Sequence, residues 1–185
     1  MNRLIIKNIF TFAFLAIACA ISNSATANEE NNPPENFTIE SPTHEESFTL
    51  SEAKGKIVVL HFLLKTECPL CLRHTQTFAK NSKDRSDVIH VFLKPDSASE
   101  IKKWASHLDA QSLRKTPVIY RDADAKLAKA YGVPDGYMFH GEIVHYPATI
   151  VLNEKGEELF RYVGKNNSDR LSYEDFEKQL AAKTK

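Results

Sequence analysis

Net charge is the first thing this sequence lacks. Its 24 Lys and Arg are matched by 24 Asp and Glu, so the formal charge at pH 7 is zero. The lysines are scattered and form no basic stripe, and RNP-like, zinc-finger and Walker patterns do not occur. These absences speak against nucleic acid as a partner. Extended apolar stretches are missing as well: residues 9–21 (IFTFAFLAIACAI) fall short of the roughly 20 residues that span a bilayer comfortably. There is no internal repeat and no low-complexity block. Cysteine is scarce, with Cys19, Cys68 and Cys71 as the whole supply. What is present is 42% hydrophobic and 26% charged residues over 185 positions, the make-up of one compact domain with a short appendage.

The appendage is at the start. Residues 1–8 carry Arg3 and Lys7 and no acid, the apolar run 9–21 follows, and residues 22–27 end in Ala25-Thr26-Ala27. Positive region, apolar region and small-residue site in that order predict a secretory signal peptide over 1–27, cleaved after Ala27. The protein is then periplasmic or otherwise exported. An uncleaved anchor is one alternative; a lipoprotein modified on Cys19 is another, although Leu15–Cys19 resembles a lipobox only loosely because Ala16 stands where a larger aliphatic residue is usual. Cleavage removes Arg3 and Lys7 and no acid, so the mature chain is mildly acidic. It also removes Cys19 and leaves Cys68 and Cys71 as the only thiols. A structural disulfide usually closes a longer loop, which restrains the unfolded chain more. A two-residue gap therefore points to chemistry.

Residues 28–36 (NEENNPPEN) read as a flexible linker, and 37–185 as the domain. Residues 37–39 and 47–50 alternate like a short exposed hairpin. Residues 57–64 (IVVLHFLL) are continuously apolar and β-branched, as in a central strand buried on both faces. Pro69 suits the first turn of a helix, which is expected from about Cys68 to Asn81. Strands are expected at 88–93, 117–120, 148–152 and 157–163, the last two joined by a turn at 153–156. A capping box, Ser97 to Glu100, opens a helix carrying Ile101, Trp104, Ala105 and Leu108 on one face. Further helices are expected at 123–131, stopped by Gly132, and at 172–182, capped by Ser172. Alternating elements with a late hairpin predict an α/β domain: a central mixed sheet, helices on both faces, and a short N-terminal hairpin.

Cys68-Pro69-Leu70-Cys71 thus falls at a strand-to-helix junction. Free N–H groups and the dipole at a helix N-terminus stabilise a thiolate and lower a thiol pKa from about 8.5 to roughly 3.5–7.5. Cys68 gains most and is the expected nucleophile; Cys71, one turn in, resolves the mixed disulfide. Metal ligation and an inert bridge are the alternatives for such a pair.

Residues 55–62 (GKIVVLHF) followed by 66–71 (TECPLC) resemble the redoxin and TlpA/ResA-type thioredoxins of the bacterial envelope. The resemblance continues through 116–122 (TPVIYRD), 130–133 (AYGV) and 146–152 (YPATIVL), ends near 157–164, and spans nearly all of 37–185. It implies a thioredoxin-like fold, thiol–disulfide oxidoreductase activity, a Cys68–Cys71 redox disulfide and no cofactor. The implied partners are clients with disulfides or thiols and a membrane electron donor, with the protein itself a monomer. It implies a cis-proline at Pro147 that keeps the backbone of Tyr146 open to a substrate peptide, and supporting roles for Thr66, Glu67, Pro69, Leu70 and His74. Several positions depart from the family. Glu67 stands where Trp is frequent, and a carboxylate there opposes the thiolate, with Lys65 as a possible offset. His74 occupies the place of an acid that relays protons, and a neutral His can accept one; the bland reading is a solvated residue on the helix face. Thioredoxin itself has a buried Asp where this chain has Phe62. Strong oxidases of the superfamily carry His where this chain has Leu70, which favours a reductant or mid-potential exchanger.

Two rival readings follow. A peroxiredoxin-like peroxidase usually has Thr or Ser three residues before its cysteine, where Lys65 stands, with Thr66 one place too close. A Sco-like copper chaperone usually has CxxxC and a distant His; His140 or His145, in the long connection 135–145, would have to serve. The bland reading of that connection is a loop or hairpin with surface histidines. Residues 166–170 (NNSDR) suggest no more than a turn.

Overall fold

The computed structural model describes residues 33–65, 67–108, 113 and 116–184. The predicted signal peptide, Cys19, Ala27, Thr66 and all of the linker before residue 33 lie outside these.

The first two strands, β1 (Thr38–Glu40) and β2 (Ser47–Thr49), pair antiparallel with Thr38 opposite Thr49. They are the expected hairpin. Next, β3 (Ile57–Phe62) is buried at every position. It runs parallel to β4 (Val88–Lys94), which runs parallel to β5 (Ile119–Arg121). On its other side β3 pairs antiparallel with β8 (Ala148–Leu152), and β8 with β9 (Glu158–Val163). The sheet is thus mixed, in the order β5-β4-β3-β8-β9, with the most continuously apolar strand at its centre. That placement is what a two-sided apolar strand requires.

The helices are α1 (Pro69–Asn81), α2 (Ala98–Ala105), α3 (Lys126–Ala130) and α4 (Tyr173–Lys183). Val59, Phe92 and Val151 pack with Cys71 and Phe78 of α1, Ile101 and Trp104 of α2, and Phe176 and Leu180 of α4. On the opposite face Val58, Leu60 and Phe62 pack with Phe48, Leu50 and Leu127, Ala128 and Tyr131. The expected mixed α/β architecture is what the chain adopts.

Two local expectations need correction, and a third segment takes one of the two forms expected of it. The helix expected at 123–131 is broken: a 3-10 turn (Ala123–Ala125) precedes α3, and Asp124 and Ala125 have φ of 57° and 53°. The cause is Asp122, whose carboxylate accepts the N–H groups of Leu127 (2.8 Å) and Ala128 (2.9 Å) and so restarts the helix about one turn later, at Lys126. Helix α2 ends at Ala105, although Leu108 is buried as its pattern required. The connection 135–145 is a two-stranded hairpin, β6 (Asp135–Phe139) and β7 (Glu142–His145), turning at His140 and Gly141 with φ of 48° and 83°.

Candidate active site

The site is assembled where β3 ends. The chain leaves the sheet through Leu63, whose N–H donates to the Leu93 carbonyl (2.9 Å), and Leu64, whose carbonyl accepts from Lys94 Nζ (2.7 Å). Lys94 is fully buried, pairs with Asp96 at 3.1 Å and lies 4.7 Å over the ring of Trp104. Burial pushes its ammonium pKa down, and Asp96 opposes that. A buried cation held by a carboxylate and a carbonyl fixes the segment that delivers the cysteines.

Cys68 is the N-cap of α1, with extended φ and ψ of −90° and 93°, and Pro69 is its first residue. The Cys68 Sγ accepts the backbone N–H of Cys71 at 3.1 Å, so the sulfur itself fills the cap. Cys68 and Cys71 are joined by a disulfide. Cys71 is completely buried and Cys68 only half so. That asymmetry matches the expected roles, since only Cys68 can meet an incoming sulfur.

Arg170 is the residue sequence reasoning missed. Its Nη2 lies 3.1 Å from Cys68 Sγ and 3.3 Å from Cys71 Sγ, and Nη1 donates to the Asn167 carbonyl at 2.9 Å. It comes from the loop before α4, which suggested only a turn, and no local signal marks it. Burial lowers its pKa from the ordinary guanidinium value, with Tyr137 and Asp169 working the other way. A guanidinium remains charged in any case. A charge-assisted N–H···S⁻ bond stabilises a thiolate, and an adjacent Arg lowers a thiol pKa.

The predicted supporting residues divide. Pro69 and Glu67 are exposed and Leu70 is half-buried, all beside the sulfurs in the chain. Lys65 is paired with Glu142 of the β6–β7 hairpin, so its charge is turned to the hairpin. Pro147 and His74 line one small cavity, about 10 Å³, together with Arg170. The Tyr146–Pro147 bond is not cis: the described backbone has no cis peptide bonds. Pro147 sits immediately before β8, where a trans proline costs no ladder hydrogen bond. Nor is the backbone of Tyr146 open. Its N–H donates to the Pro134 carbonyl (3.1 Å) and its carbonyl accepts from His145 Nδ1 (2.7 Å). Pro134, just ahead of β6, and His145 of β7 take up those groups.

The histidines are the other surprise. His74 is not a solvated residue. Its Nε2 lies 2.9 Å from Nδ1 of His61, and His61 Nε2 lies 2.9 Å from Nδ1 of His90 on β4. Burial pushes all three pKa values down: His61 well below its ordinary value, His74 to about 3, with Arg170 and His90 contributing, and His90 to about 4. His145 is buried, not a surface residue, and His140 is exposed at the hairpin turn. Among the described residues no three His, Cys, Asp or Glu are grouped to hold a metal ion, so the copper-chaperone reading has no donor set there.

The protein-family model described as Redoxin matches residues 28–180. The chain belongs to the redoxin family. No curated protein matches it at a significant level. Among solved structures, this redoxin is similar to the bacterioferritin comigratory protein of Xanthomonas campestris, studied for alkyl peroxide reduction. The TM-score is 0.62 at 14% identity over 80% of this chain and 90% of that one. It is similar to the exposed lipoprotein thioredoxin Etrx1 of Streptococcus pneumoniae strain TIGR4, with TM-score 0.59 and 21% identity over 80% and 98%. It is also similar to a putative thiol:disulfide interchange protein DsbE from Chlorobium tepidum, with TM-score 0.61 and 19% identity over 83% and 96%. Identities this low establish the thioredoxin-like fold. Within that fold this redoxin carries the Cys68–Cys71 pair at the N-terminus of α1.

Proposed function

We propose that this redoxin is an exported, periplasmic thiol–disulfide oxidoreductase that exchanges disulfides with client proteins, working as a reductant or mid-potential exchanger. The observation that carries the reading is the Cys68–Cys71 disulfide capping α1 with Arg170 on both sulfurs. In the reduced protein Cys68 is the thiolate, held by the helix terminus and Arg170. It attacks one sulfur of a client disulfide, the client S–S bond breaks, and the departing client sulfur leaves as a thiolate. Cys71 then attacks Cys68 Sγ in the mixed disulfide and releases the second client thiol. The pair ends oxidised, and a membrane electron donor has to reduce it. The protein acts as a monomer and needs no cofactor. Export rests on the sequence pattern of residues 1–27.

Two features set the potential in opposite senses. Leu70 supplies no charge to the thiolate, which favours a reductant. Arg170 supplies one from elsewhere, which stabilises the reduced form and makes the couple more oxidising. The balance supports a potential between that of thioredoxin, about −270 mV, and that of protein disulfide isomerase, about −180 mV. Equilibration with glutathione or dithiothreitol measures it. A value near −120 mV is that of a strong oxidase and overturns the reading. A Cys71→Ala variant should accumulate mixed disulfides with clients in the envelope.

Arg170 also favours a second reading, a thiol peroxidase, because a guanidinium on the attacking sulfur can hydrogen-bond a peroxide oxygen. Lys65 stands against it, in the place where such enzymes carry a hydroxyl. Rapid consumption of hydrogen peroxide by the reduced protein, with no exchange on a protein disulfide, selects that reading.

A further inference from the structure

We propose that His74, His61 and His90 form a proton store for the Cys68–Cys71 couple, taking up one proton when the disulfide is reduced and returning it when the disulfide re-forms. The proposal rests on the thiol–disulfide reading above and assigns residues that reading leaves unused.

The three imidazoles lie in a row across the sheet. His74 is one turn of α1 beyond Cys71, His61 is on β3 and His90 on β4, with ring nitrogens 2.9 Å apart at both junctions. In a neutral imidazole one nitrogen donates and the other accepts. Each junction is therefore an N–H···N bond, and the tautomer of one ring dictates the next. Phe78, Phe92 and Phe176 pack against the rings and keep the row dry. At one end His74 shares the small cavity with Arg170; at the other, His90 Nε2 is buried without a partner.

Such a row can carry one extra proton. A doubly protonated His61 would donate Nδ1–H to His74 and Nε2–H to His90, so the buried charge has both donors satisfied. With the disulfide formed, burial holds the row neutral, and the nearby charge that bears on His74 is Arg170. Arg85, from the turn after α1, faces His90, but it is paired with Asp87 and with Glu177 of α4, and Tyr173 also bonds Glu177. Reduction alters the balance at one point only. A client dithiol gives two electrons and two protons as it becomes a disulfide. The Cys68–Cys71 bond breaks, one proton makes the Cys71 thiol, and Cys68 stays a thiolate against Arg170. That thiolate offsets the Arg170 charge, the cause that comes after burial in holding His74 neutral, and the row, in which ring nitrogens of His74 and His90 accept both N–H groups of His61, takes the second proton. The added −1 on Cys68 and +1 on the row leave the protein's charge unchanged.

The test is imidazole nitrogen NMR on the protein oxidised and after reduction with a phosphine, at about pH 6, where an ordinary His titrates. Three neutral rings in the oxidised protein and one imidazolium among them in the reduced protein are expected. A second measurement is the exchange equilibrium with dithiothreitol. It should be flat from about pH 5.5 to 7.5 in the wild type, because both protons stay on the protein. In His61→Gln it should rise about tenfold per pH unit, because one proton is released. Rings that stay neutral through reduction, a Cys68 that titrates as a thiol in this range, or equal pH dependence in both proteins overturns the proposal. The wild-type spectra decide the question even if His61→Gln does not fold. Failure of dithiothreitol to reduce the disulfide at all sinks the exchange reading instead, while the phosphine-reduced spectrum still judges the store.

Discussion

The two faces of β3 are equally dry and unlike in every other respect. Val58, Leu60 and Phe62 point to α3 and the β1–β2 hairpin, into a cluster built almost wholly of aliphatic and aromatic side chains. Val59 and His61 point to α1, α2 and α4, where the same strand meets Cys71, His74, His90 and, through the cavity, Arg170. One strand thus contributes cohesion on one side and chemistry on the other, and burial alone does not tell them apart. What distinguishes them is whether the buried polar atoms are partnered in a chain that reaches the sulfurs.

The contrast can be broken at chosen points. On the cohesive face, Leu60→Ala should cost about 2–5 kcal/mol of stability, read as a shift in the urea midpoint, with little change in the disulfide exchange equilibrium. On the other face, Arg170→Met should raise the Cys68 thiol pKa by about 1–3 units, shifting exchange toward the disulfide by about tenfold per unit. Thiolate absorbance against pH checks it. Acid should act through the histidine face. The folded-state pKa of His61 lies below its unfolded value, so folding stability is full above about pH 6.5 and falls as pH drops, by about 1.4 kcal/mol per pH unit from His61 alone. His90 and His74 add to the loss down to about pH 4 and about pH 3 respectively. Urea midpoints of the oxidised protein across this range test the sign. Smallest is Lys65→Met, which removes the exposed pair with Glu142 and should cost no more than about 1 kcal/mol in thermal denaturation.

Much of the fold was readable because it is local. The apolar run at 57–64, the capping box at Ser97 and the Pro69 helix start each fix an element without reference to anything distant, and Cys68 and Cys71 fall at the β3–α1 junction for that reason. The readings that failed depend on contacts far along the chain. Arg170 meets sulfurs about a hundred residues earlier, and nothing in a polar loop announces that. His61 sits inside a run so apolar that it reads as core, and that reading held; what the run does not show is its contact with His90, on the neighbouring strand. The Asp122 carboxylate, taking two helix N–H groups, stopped the helix expected at 123 from starting there. Pro147 followed the resemblance rather than the residues around it, and Pro134 and His145 occupy the Tyr146 backbone expected to be open.

The distance between Arg170 and the cysteines also orders events in time. Ribosomes deliver the CPLC segment about a hundred residues before the guanidinium that rests on it. A chain still being made carries its two thiols without that counter-charge. They acquire it when α4 and the loop ahead of it dock, so the dithiol matures only as the last helix closes the fold.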